Sequence, residues 1–345
     1  MSKQAIKVYV GMSGGVDSSV TAALLKQQGY DVTGVYMKNW SQDLPGFTCP
    51  WKEDYQDAKR VAVQLGIDFK MYDFEKEYRH KVVDYMLEGY KAGITPNPDI
   101  MCNQEVKFKL FLETALADGA DMIATGHYAR IKDGQLLTGI DPDKDQSYFL
   151  YRVTEAALRK SLMPIGEYKK TEVRELARKF GLSTAEKKDS QGICFVGKVG
   201  IKEFLEQFVE TEPGAVIDQD GKEVGQHDGA LFYTIGQRHG LDIGGGLPYY
   251  VVGKDMDKNQ VFVTTDLDDK RLWQRELKLS NVHFIDGKPA EGDYSVRMRY
   301  RAPLVKGTLS KGGKLSLHED VRAITPGQSA VFYDGDHCVG GGIVT

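Results

Sequence analysis

From residue 6 the chain reads IKVYV, an apolar run of strand length. A Gly- and Ser-rich bend follows, then SSVTAALLKQQG, whose apolar positions recur at helical spacing up to Gly29. The alternation repeats. DVTGVYM (31–37) reads as a second strand and EDYQDAKRVAVQLG as a helix ending at Gly66. DFKMYDF is a third strand, EKEYRHKVVDYMLEGYKAG a third helix, and ADMIATG (120–126) a fourth strand. TEVRELARKFG predicts a further helix, with the Thr171 hydroxyl as its cap. Strands alternating with helices predict a parallel sheet covered on both faces.

Beyond about residue 213 the pattern changes. QDGKEVG, DMDKNQ and YDGDHC are hairpin signals between alternating runs such as QVFVTT and SVRMRYR. The charged segment DLDDKRLWQREL near 266–277 divides this half into two β units. The expected organisation is an α/β domain over 1–210, a small β-rich domain over 211–272 and a C-terminal β unit over 273–345.

Composition changes this picture little. At 345 residues, 41% hydrophobic and 27% charged, the chain suits two or three soluble domains. Its 45 basic and 49 acidic side chains leave a net charge of −4, so any nucleic acid must meet a local basic surface. No stretch has the length of a membrane span or the form of a signal peptide, and a cytoplasmic location is expected. The four cysteines, Cys49, Cys102, Cys194 and Cys338, form no C-x-x-C pair, so no metal site is expected of them. Taken singly, each has a buried packing role as its ordinary reading.

Candidate chemistry begins at GMSGGVDSSV, residues 11–20. A strand, a glycine-rich bend and a helix start gather backbone N–H groups and the positive end of a helix dipole around one point, where an anion binds. Gly14 and Gly15 supply the backbone freedom, and Ser13 and Ser18 supply hydroxyls. Asp17 is out of place beside a polyanion; a magnesium ion or a backbone amide is its expected partner. A bare G-x-x-G-G would fit any strand-to-helix turn, whereas SGGVDS at a strand end is far more specific.

That loop resembles the pyrophosphatase loop of enzymes that adenylate a substrate and release pyrophosphate. Further stretches narrow the resemblance: TPNPDIMCNQEVKF (95–108), GHYAR (126–130), KDQSYFLY (144–151), KKDSQGICFVG (187–197), YTIGQRHGL (233–241) and PGQSAVFYDGD (326–336). Together, over essentially the whole chain, they resemble the bacterial tRNA-specific 2-thiouridylases. The resemblance implies a Rossmann-like domain of the adenine nucleotide alpha-hydrolase type, a central β-rich tRNA-binding domain and a C-terminal β-barrel like the second domain of elongation factor Tu. It implies ATP, with Mg2+ on its phosphates, as cosubstrate and tRNA as substrate. A persulfide donor, either a cysteine desulfurase or a relay protein, is the implied protein partner; DNA and membrane are not.

The reaction implied is adenylation of the C2 oxygen of a wobble uridine in tRNAs of the Lys, Glu and Gln type, then replacement of that oxygen by sulfur. By resemblance Cys102 is the nucleophile and Cys194 the persulfide carrier, with a Cys102–Cys194 disulfide as the resting form. Residue chemistry agrees: Asp99 as a helix cap would place Cys102 in a first turn, and Lys187 and Lys188 would favour a thiolate at Cys194. The nucleotide set is Gly11, Met12, Ser13, Gly14, Gly15, Val16, Asp17 and Ser18, with Met37 and Gly126 lining the adenine pocket at strand ends. Asn97, Pro98 and Asp99 are expected on the extruded base. His127, Lys144, Asp145, Gln146, Arg299, Tyr300 and Gln328 are expected on the rest of the tRNA. In SVRMRYRAPLVKGTLSKGGK, Arg297, Arg299 and Arg301 would share one strand face as phosphate contacts, alongside Lys306, Lys311 and Lys314. Two other readings remain open at this point: an amide ligase of the GMP synthetase type, which has no use for paired cysteines, and a nucleotide-regulated RNA-binding module without chemistry.

Overall fold

The structure, a computed structural model, describes residues 5–45, 48–188, 200–241, 243–244 and 248–345. Its first part is a five-stranded parallel sheet in the order β3-β2-β1-β4-β7, where β1 is Lys7–Gly11, β2 Asp31–Lys38, β3 Asp68–Asp73, β4 Met122–Ala124 and β7 Ser161–Leu162. Side-chain alternation in β1 explains why both faces are covered. Val8 and Val10 pack with helix α1 (Val16–Gln27), helix α2 (Trp51–Leu65) and the helix Lys170–Lys179. Tyr9 points the other way, into the helices over 75–91 and 98–117. The chain crosses β1 to reach β4, so the carboxyl ends of β1 and β4 form the switch point at which such sheets bind ligands.

Both long helices on the Tyr9 face contain π-helical turns, over Arg79–Val83 and Cys102–Leu110. The second starts at Cys102. Insertions of this kind concentrate at functional sites.

The remaining strands form two units. β8 (Gly214–Ile217), β9 (Glu223–His227), β10 (Tyr250–Asp255) and β11 (Gln260–Thr264) make a sheet in the order β10-β11-β8-β9. β12 (Trp273–Phe284), β13 (Gly292–Arg297), β14 (Val305–Ser310), β15 (Lys314–Arg322), β16 (Ser329–Asp334) and β17 (His337–Val344) close into a barrel through β12–β17 pairing, Leu279 opposite Val344. A hairpin of the α/β domain, β5 (Ala129–Lys132) and β6 (Gln135–Thr138), adds to β17 with Leu136 opposite Cys338. The barrel is thereby hydrogen-bonded to the α/β domain as well as packed on it.

Three local expectations are corrected. The helix containing Thr171 starts earlier: Lys169 is its cap, and the Glu172 carboxylate accepts from the Lys169 N–H at 2.7 Å. Asn97, not Asp99, caps the Cys102 helix, its side-chain oxygen accepting from the Ile100 N–H at 3.3 Å with Pro98 just inside. Cys102 is therefore the fifth helical residue, beyond the first turn where the dipole acts most strongly. Finally, the strand SVRMRYR stops at Arg297, and Arg301 turns the chain with φ 63°, so the three arginines share no strand face.

Candidate active site

The loop after β1 joins a strand end to a helix N-terminus, the geometry an anion site needs. Met12 continues the sheet, its N–H donating to the Val35 carbonyl at 2.8 Å, and Val16 anchors the helix start in the core. Gly14 has φ 75°, and a Cβ there would lie 2.4 Å from the Asp54 carbonyl oxygen. The Gly15 carbonyl accepts from the Ser18 hydroxyl at 3.2 Å and the Ser19 hydroxyl at 2.7 Å, while the Ser18 oxygen accepts from the Ser13 N–H at 3.2 Å. These local bonds hold the bend open beneath the first turn of α1.

Gly11 and Met37 touch at the carboxyl ends of β1 and β2: a Cβ on Gly11 would lie 2.9 Å from the Met37 methyl. Gly126 packs on the loop itself, since a Cβ there would lie 2.8 Å from the Ser18 nitrogen. Met37 and Gly126 thus flank the loop from either side of the switch point. Phe111, from the Cys102 helix, lies 3.5 Å from the same Gly11 position, and Phe108 rests against the His127 ring at 5.7 Å. The helix carrying Cys102 therefore packs on the Tyr9 face of the sheet, with Phe108 and Phe111 beside the carboxyl ends of β4 and β1. Cys102 is buried.

Asp17 has partners that the sequence reading missed. Its carboxylate accepts from Lys170 Nζ at 2.8 and 2.9 Å and from the Tyr128 hydroxyl at 2.7 Å. With both oxygens engaged by an ammonium, Asp17 is a poor fit for a cation ligand. Among the described residues no cluster of three or more His, Cys, Asp or Glu side chains is spaced to hold a metal. One signal was available: a lysine at the first position of a helix opposes the dipole and asks for an anion elsewhere. Lys187 is likewise occupied, by Asp54 at 2.8 Å and Asp57 at 2.7 Å, so its charge is not open to a thiolate. Lys188 is exposed, and Cys194, with any Cys102–Cys194 disulfide, lies outside the described residues.

Several residues expected on tRNA have partners within the protein, some of them between domains. Asp145 is buried and accepts from the Gly139 and Ser147 N–H groups at 3.1 Å each, the Ser147 hydroxyl at 3.0 Å and Arg297 at 2.8 Å. It cannot also read a base. Arg299 turns inward: its Nη2 donates to the Ile235 carbonyl at 3.0 Å, to the Thr325 hydroxyl at 2.7 Å and to the Ala323 carbonyl, and burial lowers its pKa. Arg297 and Arg299 therefore have partners within the protein, and neither stands on the shared strand face expected of phosphate contacts. His127 is buried, bonds to Thr125 at 2.8 Å and is held well below the usual imidazole range by burial and by Lys107; a surface tRNA contact does not fit it. Gln146 bonds to the Tyr128 N–H at 2.9 Å, while Lys144 is half-buried.

Gln328 does reach the candidate base site, indirectly. Its amide donates to the Thr95 carbonyl at 2.8 Å, Thr95 N–H donates to the Pro326 carbonyl at 2.9 Å, and the Thr95 hydroxyl meets Thr234 at 3.1 Å. The barrel and the middle domain thereby grip the strap leading into Asn97, Pro98 and Asp99. Tyr300 lies half-buried against Phe149, ring centroids 4.6 Å apart, with the Arg301 guanidinium 5.0 Å from its ring. The two other described cysteines are unsuited to attack: burial pushes the thiols of Cys49 and Cys338 up.

This arrangement, a glycine-rich loop at the switch point of a parallel sheet with two β domains appended, defines a class of protein. The tRNA methyl transferase HUP domain family matches residues 6–198, the tRNA methyl transferase PRC-barrel domain family 202–265, and the aminomethyltransferase beta-barrel domain family 274–344. The relatives narrow the class. The tRNA-specific 2-thiouridylase MnmA of Listeria monocytogenes is 50% identical over 98% of this chain and 94% of its own. MnmA 2 of Geobacillus kaustophilus is 49% identical with the same coverage. The chain belongs to the tRNA-specific 2-thiouridylase family.

Proposed function

We propose that this protein is a tRNA-uridine 2-sulfurtransferase that consumes ATP, with Mg2+ on the phosphates, to thiolate the wobble uridine. The observation that carries the reading is the meeting of two elements at one switch point. The SGGVDS cradle after β1 suits a leaving pyrophosphate, and the Asn97–Asp99 strap leads into the Cys102 helix, whose Phe111 packs at the carboxyl end of the same strand.

A uracil carbonyl oxygen is a poor leaving group. Its attack on the α-phosphorus of ATP breaks the bond to pyrophosphate and makes the oxygen part of an adenylate. Asn97 and Asp99 orient the extruded base, with Asp99 accepting the N3 proton. The terminal sulfur of a Cys194 persulfide then adds to C2, and AMP departs with the original oxygen. The Cys102 thiolate attacks the inner sulfur of Cys194, releasing the terminal sulfur and closing a disulfide that an external thiol reduces before the next cycle. A cysteine desulfurase or relay protein reloads Cys194, and a cytoplasmic setting gives access to tRNA and reductant.

The family models are named for methyl transfer, but a methyl group leaving a sulfonium donor calls for no pyrophosphate cradle. Amide ligation needs ammonia and no thiol. The test is reconstitution with tRNA, ATP and a persulfide donor, followed by nucleoside mass spectrometry. The wild-type protein should form 2-thiouridine. Cys194→Ser should accept no sulfur, and Cys102→Ser should accept it on Cys194 but release no 2-thiouridine, stalling as a mixed disulfide with the tRNA base. Normal thiolation by either variant would overturn the two-cysteine scheme, and absence of thiolation by the wild type would overturn the function.

A further inference from the structure

An aspartate in a phosphate cradle needs an explanation. Asp17 stands in the first turn of α1, whose N-terminus points into the cradle, with its side chain one-third exposed. A bare carboxylate there would repel each phosphate that the backbone N–H groups attract. Two groups far along the chain answer it. Lys170 reaches Asp17 with both carboxylate oxygens within 2.9 Å, its own side chain only 12% exposed, and its ammonium lies 5.6 Å from the centre of the Tyr128 ring. Tyr128 adds the third hydrogen bond, to Oδ1 at 2.7 Å.

Lys170 is itself held in register. Its backbone N–H donates to Asp141 at 2.8 Å, and its helix begins on the Lys169–Glu172 cap. A lysine at the first position of a helix is electrostatically disfavoured, so its charge is used outward, toward α1. Gly126, two residues before Tyr128, fixes the spacing by packing on the Asp17–Ser18 backbone, 3.0 Å from the Asp17 carbonyl carbon to where a Cβ would be.

We propose that Lys170 is a positioning residue for the nucleotide phosphates: it neutralises Asp17 and, with Tyr128, pins that carboxylate to the side of the cradle. This role rests on the ATP reading above. It differs from a direct grip on phosphate, because its effect passes through Asp17.

The experiment is equilibrium ATP binding by calorimetry on the full chain, without tRNA, with filter retention of tRNA measured in parallel. Lys170→Met should weaken ATP on the order of tenfold or more, the scale expected when one unit charge near a polyphosphate is left unpaired. It should leave tRNA affinity unchanged. Lys170→Arg, which keeps the charge, should stay near wild type. Asp17→Asn introduced into Lys170→Met should recover most of the lost ATP affinity, since the uncompensated charge is then gone. Tyr128→Phe, a mild change that keeps the ring, should give a smaller loss of the same kind. Unchanged ATP affinity in Lys170→Met would overturn the proposal. A double variant as weak as Lys170→Met would overturn it too, by showing that Lys170 acts on phosphate itself. Absence of ATP binding by the wild type would instead overturn the ATP reading, and this proposal with it.

Discussion

Arg299→Ala separates a structural joint from a tRNA contact. Arg299 Nη2 has two N–H groups and three oxygens around it, from Ile235 in the middle domain and from Ala323 and Thr325 in the barrel. A hydrogen bond from a charged donor contributes about 1.5–3 kcal/mol net, so two such bonds set a range of about 3–6 kcal/mol. Water entering the space left by the side chain would restore part of this, which favours about 3 kcal/mol. If the domains unfold together as a unit of about 150–250 residues, that lowers the midpoint of thermal unfolding by about 6–12 °C. Because Thr325 lies one residue before the Pro326 that holds Thr95, the loss should also loosen the strap into Asn97 and raise proteolytic cleavage near the junction. The salt dependence of tRNA binding should keep its slope, as no phosphate contact is lost. The assay is thermal unfolding of wild type and variant, with tRNA affinity measured across a salt series. An unchanged midpoint together with a slope about one unit shallower would refute this reasoning and return Arg299 to the phosphate backbone.

Two more outcomes are expected. Burial holds His127 neutral in the folded state, while the unfolded chain takes up a proton near the usual imidazole value of 6.5. Its stability contribution is therefore fully present above pH 6.5 and lost as pH falls below it. His127→Gln should remove up to about 1.4 kcal/mol of the stability lost between pH 7.5 and 5.5, read from urea midpoints. The remaining slope should come in part from His227 and His283, both also lowered by burial; an identical slope in the variant would exclude His127 as a source. Gly126→Ala places a methyl 2.8 Å from the Ser18 nitrogen, where only backbone can yield. The displaced loop should raise the KM for ATP on the order of tenfold while tRNA affinity holds. Equal losses in both would show that Gly126 supports the whole fold and not the loop alone.

The sequence by itself determined the layering of the first domain and the type of its loop. Period-2 and period-3.6 patterns are local, and β1 shows the result: Val8 and Val10 face one helical layer and Tyr9 the other. Gly66 in the left-handed region and the turns at 218–222 and 256–259 were legible for the same reason, because glycine and Asn/Asp chemistry acts over a few residues. The partners of charged side chains were not legible. Lys170 meets Asp17 across 153 residues, Arg297 meets Asp145 across 152, and Gln328 meets Thr95 across 233. An arginine in an alternating run looks the same whether it faces phosphate or a carbonyl of another domain. Only the closure of the barrel and its pairing with β6 turned Arg299 inward and buried Asp145. A helix cap was misread for a related reason: Asn97 and Asp99 both suit the role, and the choice fell to the residue just before Pro98, which fixes the backbone where the helix begins. Local pattern thus specified the elements and the cradle, while long-range electrostatic pairing, which depends on the packed domains, decided which charges remain for a substrate.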